Sequence, residues 1–280
     1  MELYSYQEEG VDFLVNTERA MLADEMGLGK TAQAVHAIER LYAYPCIIVC
    51  PASLKYNWLN EINKWFPALS VQIINGSDEL ESGHDYYIVN YDILGRCVSA
   101  SRPFGRKRKV YEIKENSLVY DLLSHTPQAI VFDESHYLKN TGSLRSRACR
   151  YLCEEIAYVF MLSGTPILNK PSEFAHQLQC LDVLDDMGGW KYYMETYCGA
   201  KRDKFGWKYD DEPSNLVDLN EEVRRVFYMR RTKEEVLPDL PDVTQCMIEV
   251  PLTNRKTYDA AETDFIEWLY DTHLKQYGRD

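Results

Sequence analysis

Two short stretches combine the residue types that chemistry on a phosphate ester requires. Asp24-Glu25-Met26-Gly27-Leu28-Gly29-Lys30-Thr31 follows a short apolar run, Ala20 to Ala23, and precedes an amphipathic segment from Ala32 to Tyr42. That is the order strand, glycine-rich turn, helix, which aims backbone N–H groups and a helix N-terminus at one spot. Gly27 and Gly29 let the backbone close on an anion. Lys30 supplies a mobile cation for β- and γ-phosphates, and Thr31 a hydroxyl for Mg2+. Asp24 stands where the general phosphate-loop pattern has its first glycine, so only the second half of that pattern matches. By itself the loop implies ATP or a related triphosphate and is silent on what the energy does.

The second stretch is Ala129-Ile-Val-Phe132 followed by Asp133-Glu134-Ser135-His136. Four apolar residues ending in two carboxylates fit a buried parallel strand whose C-terminal end faces a ligand. Asp133 would hold Mg2+ through water, and Glu134 would polarise an attacking water. The plainer reading is an acidic loop after a strand, but the loop at 24–31 supplies the missing half of a nucleotide site. Tyr158 to Leu162 is a further run of this kind, ending in Ser163-Gly164-Thr165-Pro166. Gln7 lies in a predicted helix over 3–16 that turns Val11, Phe13 and Leu14 to a core. Its amide matches both donor and acceptor edges of adenine; taken alone, it reads as a solvated helix glutamine.

The elements that must position these residues alternate regularly. Cys46 to Cys50, Val71 to Ile74 and Tyr86 to Asn90 read as strands. Ser53 reads as the N-cap of a helix from Leu54 to Trp65, with Trp58, Leu59 and Ile62 on its apolar side. The βαβαβ order implies a doubly wound α/β sheet with right-handed crossovers. Beyond Pro171 the chain reads as helical, with Trp190, Tyr192 and Tyr193 spaced for a core rather than for stacking on bases. Residues 199–215 read as a loop, 219–228 as a helix, Thr244 to Val250 as a strand and 253–274 as a final helix. Arg102, Arg106, Lys107, Arg108 and Lys109 form a basic run that suits a solvated loop or hairpin, or an insertion contacting phosphates. Lys139, Arg145, Arg147 and Arg150 form a second basic patch.

With 280 residues, the chain is long enough for one large or two small domains. No apolar run is long enough to span a membrane, and none reads as a signal peptide. The eight cysteines show no metal-binding spacing and read as reduced, mostly buried thiols. The net charge of −13 argues against a generally basic nucleic-acid coat. It is unevenly spread, with 17 basic and 21 acidic residues up to Lys170 and 14 and 23 beyond. A polyanion would therefore meet the first part, at local basic clusters.

Together the motifs resemble the Swi/Snf-type ATPases of helicase superfamily two. Tyr6-Gln7 is similar to the Q motif, DEMGLGKT to motif I, Cys50-Pro-Ala-Ser-Leu54 with Trp58 to motif Ia, and Asn90-Tyr91 to the following DNA-side motif. DESHYLKN (133–140) is similar to motif II and LSGTPILN (162–169) to motif III; Asp24 is the residue this family pattern carries. Tyr197 to Arg202, Phe205-Gly-Trp207 and Met229-Arg-Arg231 are most similar to the annealing-helicase branch.

The resemblance implies a RecA-like P-loop lobe, a central mostly parallel sheet flanked by helices, with a helical extension. It implies a division into a lobe at 1–170, a helical extension packed on it at 171–236, and a linker with the start of a second RecA-like lobe at 237–280. It makes Lys30, Asp133 and Glu134 catalytic, and has Gln7 and residues 24–31 bind ATP, with Thr31 and Asp133 on Mg2+. His136 and Ser163-Gly164-Thr165 would couple the nucleotide to DNA, which Pro51, Ser53, Asn90, Tyr91, Lys139 and Asn140 would hold along one phosphate backbone. The expected protein is a monomeric translocase on double-stranded DNA, without sequence specificity. The second-lobe arginines that reach the γ-phosphate are not matched, so this chain should hydrolyse ATP slowly. A nucleotide-gated binding module and a small-molecule P-loop kinase are the competing readings, though a kinase would not need the Asp-Glu-x-His and Ser-Gly-Thr-Pro pair. Met1 standing so near the Q motif suggests a cytoplasmic bacterial or phage protein, or a nuclear one if eukaryotic.

Overall fold

The computed structural model describes residues 2–241 except 77, 102–109, 168–169, 204–205 and 210–212, together with 253, 255–259, 261–265 and 267. The basic run at 102–109, the end of LSGTPILN, Phe205 and the predicted strand Thr244 to Val250 therefore lie outside the described residues.

From the N-terminus, α1 (Ser5–Thr17) precedes β1 (Arg19–Leu22), the glycine loop and α2 (Lys30–Leu41). Then come β2 (Cys46–Cys50), α3 (Lys55–Trp65), β3 (Val71–Ile73), β4 (Tyr86–Asn90) and α4 (Tyr91–Arg96). An antiparallel hairpin of β5 (Val98–Ser101) and β6 (Val110–Ile113) leads to α5 (Leu118–Ser124), β7 (Ala129–Asp133), α6 (Leu144–Glu155) and β8 (Tyr158–Leu162). After α7 (Ala175–Cys180) and α8 (Gly189–Tyr197), a second hairpin pairs β9 (Ala200–Asp203) with β10 (Gly206–Tyr209). The described part of this unit ends with α9 (Leu216–Val226), β11 (Tyr228–Met229) and α10 (Lys233–Val236).

Among the described residues, seven strands form one sheet in the order β11-β1-β8-β7-β2-β4-β3, and every pair in it is parallel. The period of two in each strand sorts its side chains onto two faces. Ile47, Val49, Ile130, Phe132, Val159 and Met161 enter one core, while Ile48, Cys50, Ala129, Val131, Phe160 and Leu162 enter the other. Both faces are covered by helices, which is why the strands read as continuous apolar runs rather than alternating ones. Val11, Leu14, Val35, Ile38, Trp58 and Ile62 bring α1, α2 and α3 to the second core. Leu94, Leu122, Leu152, Leu178 and Tyr193 bring α4 to α8 to the first.

Three local expectations are corrected. Residues 199–215 contain the β9–β10 hairpin rather than only a loop. The helix read over 219–228 ends at Val226, and Tyr228 and Met229 instead pair with Met21 and Leu22 as the edge strand of the sheet. The stretch assigned to a helical extension thus also contributes to the central sheet. Ser53 does not cap a helix: 52–54 is a short 3-10 turn, and α3 begins at Lys55 without a side-chain cap.

Residues 2–238 belong to one compact unit and 239–280 to a second. In the second, 255–259 and 261–265 are helical, with an Arg255–Asp259 ion pair at 3.2 Å one turn apart. Among the described residues, no helix is long and apolar enough to cross a membrane.

Candidate nucleotide site

The C-terminal ends of three neighbouring strands, β1, β8 and β7, carry the chemistry-bearing loops side by side. The glycine loop leaves β1, Ser163-Gly164-Thr165 leaves β8, and Asp133 ends β7. Gly27, Gly29, Lys30, Thr31, Asp133 and Glu134 line one cleft of about 340 Å³, which Asn57 and Trp58 of α3 also line.

The loop is held by side chains behind it. Gly29 has φ +74, and a Cβ there would stand 2.3 Å from the Gln7 amide nitrogen, so the position needs glycine on two counts. Gln7 donates to the Leu28 carbonyl at 3.3 Å and its Oε1 accepts from Tyr4 N–H at 3.0 Å. Gln33, with no exposed surface, donates to the same carbonyl at 3.1 Å. Lys30 Nζ donates to the Asp24 carbonyl at 2.7 Å and the Glu25 carbonyl at 3.3 Å. Burial holds the Lys30 ammonium below its usual range, against the pull of the Asp24, Glu134 and Asp133 charges.

Asp24 departs from its expected part in the phosphate loop. Its carboxylate is fully buried and taken up by Arg231 and Gln33, and its backbone carbonyl, not its side chain, meets Lys30. Glu25 turns towards 233, its carboxylate accepting from the Lys233 backbone N–H at 2.7 Å. Met26 is exposed and lies against Gly164, where a Cβ would come within 2.9 Å of Met26 Cγ.

Across the cleft, Asp133 accepts from Trp58 Nε1 at 2.8 Å and from the Glu134 N–H at 3.0 Å. Burial raises its pKa above the usual carboxylate range, and the Trp58 bond works against that rise. Glu134 adopts left-handed backbone angles, φ 52 and ψ 53, unusual for a side chain other than glycine, asparagine or aspartate. His136 Nδ1 lies 3.2 Å from the Glu134 carboxylate and 3.4 Å from Ser163 Oγ, which in turn accepts from the Thr165 N–H at 3.2 Å. An unbroken polar path thus joins the end of β7 to the turn after β8.

The remaining predicted residues follow the C-terminal ends of β2, β4 and β7, neighbours in the sheet. Ser53 and Asn140 are exposed, and Pro51 is half-buried. Lys139 pairs with Glu173 at 3.6 Å, and Asn140 Oδ1 accepts from the Gly142 N–H. Asn90 is nearly buried, and Tyr91 is 2 % exposed. The Tyr91 hydroxyl donates to the Asp133 carbonyl at 2.8 Å and its ring stacks between Tyr137 and Phe132. Its side chain therefore props the Asp-Glu segment instead of meeting an external partner, a correction to the expected contact with DNA. The second basic patch is also largely engaged: Arg145 faces Asp92, Arg147 lies on the Tyr111 ring, and Arg150 pairs with Glu154.

Four residues around the cleft escaped sequence reasoning in their actual roles. Trp58 read as core, yet its indole N–H fixes Asp133. Gln177 links two loops, accepting from Ser135 Oγ and donating to the Pro166 carbonyl, both at 2.8 Å. Arg230 donates to the Ala23 and Gly164 carbonyls at 3.0 and 2.9 Å. Arg231 holds Asp24 from more than 200 residues away, and the sequence signals only its charge and its likeness to one branch of a family.

An all-parallel sheet with a glycine loop after one strand and an Asp-Glu pair two strands away defines a RecA-like P-loop lobe. Residues 6–271 match the SNF2-related domain. The chain belongs to that family. It is 32% identical over 272 residues to the DNA annealing helicase and endonuclease ZRANB3 of Bos taurus, covering 95% of this chain and 24% of that protein. It is 32% identical over 259 residues to the SWI/SNF-related matrix-associated actin-dependent regulator of chromatin subfamily A-like protein 1 of Xenopus tropicalis, covering 89% of this chain and 24% of that protein. The finer resemblance to annealing helicases therefore holds. Among solved structures, it is similar to the Sulfolobus solfataricus SWI2/SNF2 ATPase core in complex with dsDNA, with a TM-score of 0.61 and 25% identity over 86% of this chain and 47% of that one. The chain thus spans about a quarter of these curated relatives and under half of the solved core.

Proposed function

We propose that this chain is the ATP-binding lobe of a DNA-dependent ATPase that moves on or remodels double-stranded DNA. One observation carries the reading: Lys30, Thr31, Asp133 and Glu134 line a single cleft at the C-terminal edge of a parallel sheet. Residues 27–31 offer backbone N–H groups and a helix start to the phosphates, and Lys30 offers its ammonium. Among the described residues, no group of three or more His, Cys, Asp or Glu side chains makes an all-protein metal cage. Mg2+ does not need one, because it keeps waters and phosphate oxygens beside one or two protein ligands. Thr31 and the desolvated Asp133 carboxylate fit that requirement, and the ion would neutralise charge on the phosphates. Glu134 orients and deprotonates the attacking water, with His136 holding its carboxylate and passing the state of the site to Ser163 and Thr165.

The DNA path runs over Pro51, Ser53, Asn90, Lys139 and Asn140, at the ends of β2 and β4 and just beyond the Asp-Glu segment at the end of β7. Short polar groups and backbone at such positions suit phosphate and carry no sequence information. The family and the DNA-bound archaeal core support DNA as the lobe's partner. Residues 237–280 are the linker and the start of a second lobe, and the chain acts as a monomer. The two curated relatives named are animal proteins, so they lend no support to a bacterial or phage origin and favour a nuclear one.

ATP turnover by these 280 residues, with and without duplex and single-stranded DNA and with Glu134→Gln as control, tests the reading. Turnover should be slow, because an opposing arginine is worth about 10³–10⁵ in rate in P-loop enzymes. A rate matching that of a two-lobed, DNA-stimulated relative would overturn the half-motor reading.

A further inference from the structure

A largely buried arginine–carboxylate contact joins the phosphate loop to a residue far outside the nucleotide motifs. Arg231 follows β11, shortly before the unit ends at Pro238. Its Nη2 donates to Asp24 Oδ2 at 2.6 Å and its Nε to Oδ1 at 3.1 Å, while its own backbone N–H also reaches Oδ1, at 3.0 Å. Nη2 donates further to Gln33 Oε1 at 3.0 Å, and Nη1 to the Tyr6 carbonyl. One guanidinium thereby joins the end of β1, the Q-motif helix α1 and the loop helix α2. Both ends of the pair are withdrawn from water, with side-chain exposures of 13% and 0%.

From this knot two routes reach the nucleotide loop. Asp24 opens the loop, and its carbonyl takes the Lys30 ammonium. Gln33 donates to the Leu28 carbonyl at the loop's apex. A loop that turns through positive φ at Gly27 and Gly29 has many alternative conformations, so affinity for an anion depends on holding one of them. A two-pronged arginine–carboxylate contact is suited to that, because its geometry is fixed in a way an ammonium cannot reproduce.

We propose that Arg231 is a positioning residue for the phosphate loop, acting through Asp24 and Gln33. The loop's recognised motif would then be incomplete without a residue from the segment that leaves the lobe. This inference rests on the reading above that the loop binds a nucleoside triphosphate.

Titration of the 280-residue chain with MgATP, alongside its thermal unfolding, tests it. Arg231→Lys keeps the charge and removes the fork, while Gln33→Met leaves the Arg231–Asp24 pair and cuts the route to Leu28. Each should weaken MgATP about tenfold, the equivalent of one charge-assisted hydrogen bond. Combining Asp24→Asn with Arg231→Lys should weaken it no further than the worse single change, because both act on one contact. A purely structural role would lower the melting temperature and leave the dissociation constant of the folded protein unchanged. Wild-type affinity in folded Arg231→Lys would overturn the proposal. Lys30→Ala separates the two levels: loss of MgATP there, with Arg231→Lys binding normally, sinks only the role of Arg231. A wild-type chain that binds no MgATP sinks both.

Discussion

Replacing Gly10 by alanine reverses sign between sequence and structure. Gly10 sits in the middle of α1, where alanine should stabilise the helix by about 1 kcal/mol. The structure places the added Cβ 1.7 Å from Gln33 Oε1 and 2.8 Å from Arg231 Nη2. Both obstacles are ends of flexible side chains, which would ordinarily swing aside. Here Gln33 has no exposed surface and bonds Leu28, Arg231 and Asp24, so moving it breaks the buried knot. Losing the charged bond from Arg231 costs about 1.5–3 kcal/mol, and strain adds to that. After the helical gain is subtracted, the net loss is about 1–2 kcal/mol, or about 2–8 °C in melting temperature for a domain of this size. Thermal unfolding of Gly10→Ala beside the wild type reads it directly. In a Gln33→Ala background that clash is gone, and Gly10→Ala should then cost less than it does in the wild type. A melting temperature for Gly10→Ala equal to or above the wild type would refute the reasoning.

Other outcomes follow from the same interactions. Asp133 is buried and its pKa raised, so MgATP binding should fail as pH drops through a value above the ordinary carboxylate range. In Trp58→Phe the bond that opposes that rise is gone, and the acid limb of a binding-versus-pH curve should move to higher pH; an unmoved limb would exclude Asp133 as the titrating group. Tyr91→Phe removes a buried bond to the Asp133 carbonyl and should destabilise the lobe by about 0.5–1.5 kcal/mol in denaturant titrations. It should leave the salt dependence of DNA binding unchanged. Lys139→Ala should instead flatten that dependence by about 0.9 in the log–log slope, as expected when one fewer DNA phosphate is neutralised. An equal change in both variants would contradict their assignment to different surfaces.

Local sequence determined a great deal about this protein because local physics suffices there. Short apolar runs between helical stretches gave six of the parallel strands, since a strand buried on both faces needs no partner to declare itself. The glycine loop was legible because its turn, its lysine and its helix start lie within eight consecutive residues, and the Asp-Glu pair because it ends such a strand. Ser53 and Tyr91 misled for the opposite reason. A good capping residue caps only if the chain enters the helix at that point, and a tyrosine beside a DNA-side motif is available only if no neighbour claims its ring. Tertiary structure alone decided the two-residue strand Tyr228–Met229, too short to have a period, and the roles of Trp58 and Arg231. An indole reads as core and an arginine as charge until folding sets each against a buried carboxylate. The need for Gly10 arises in the same way, because it depends on which side chains from α2 and from residue 231 arrive over that face of α1.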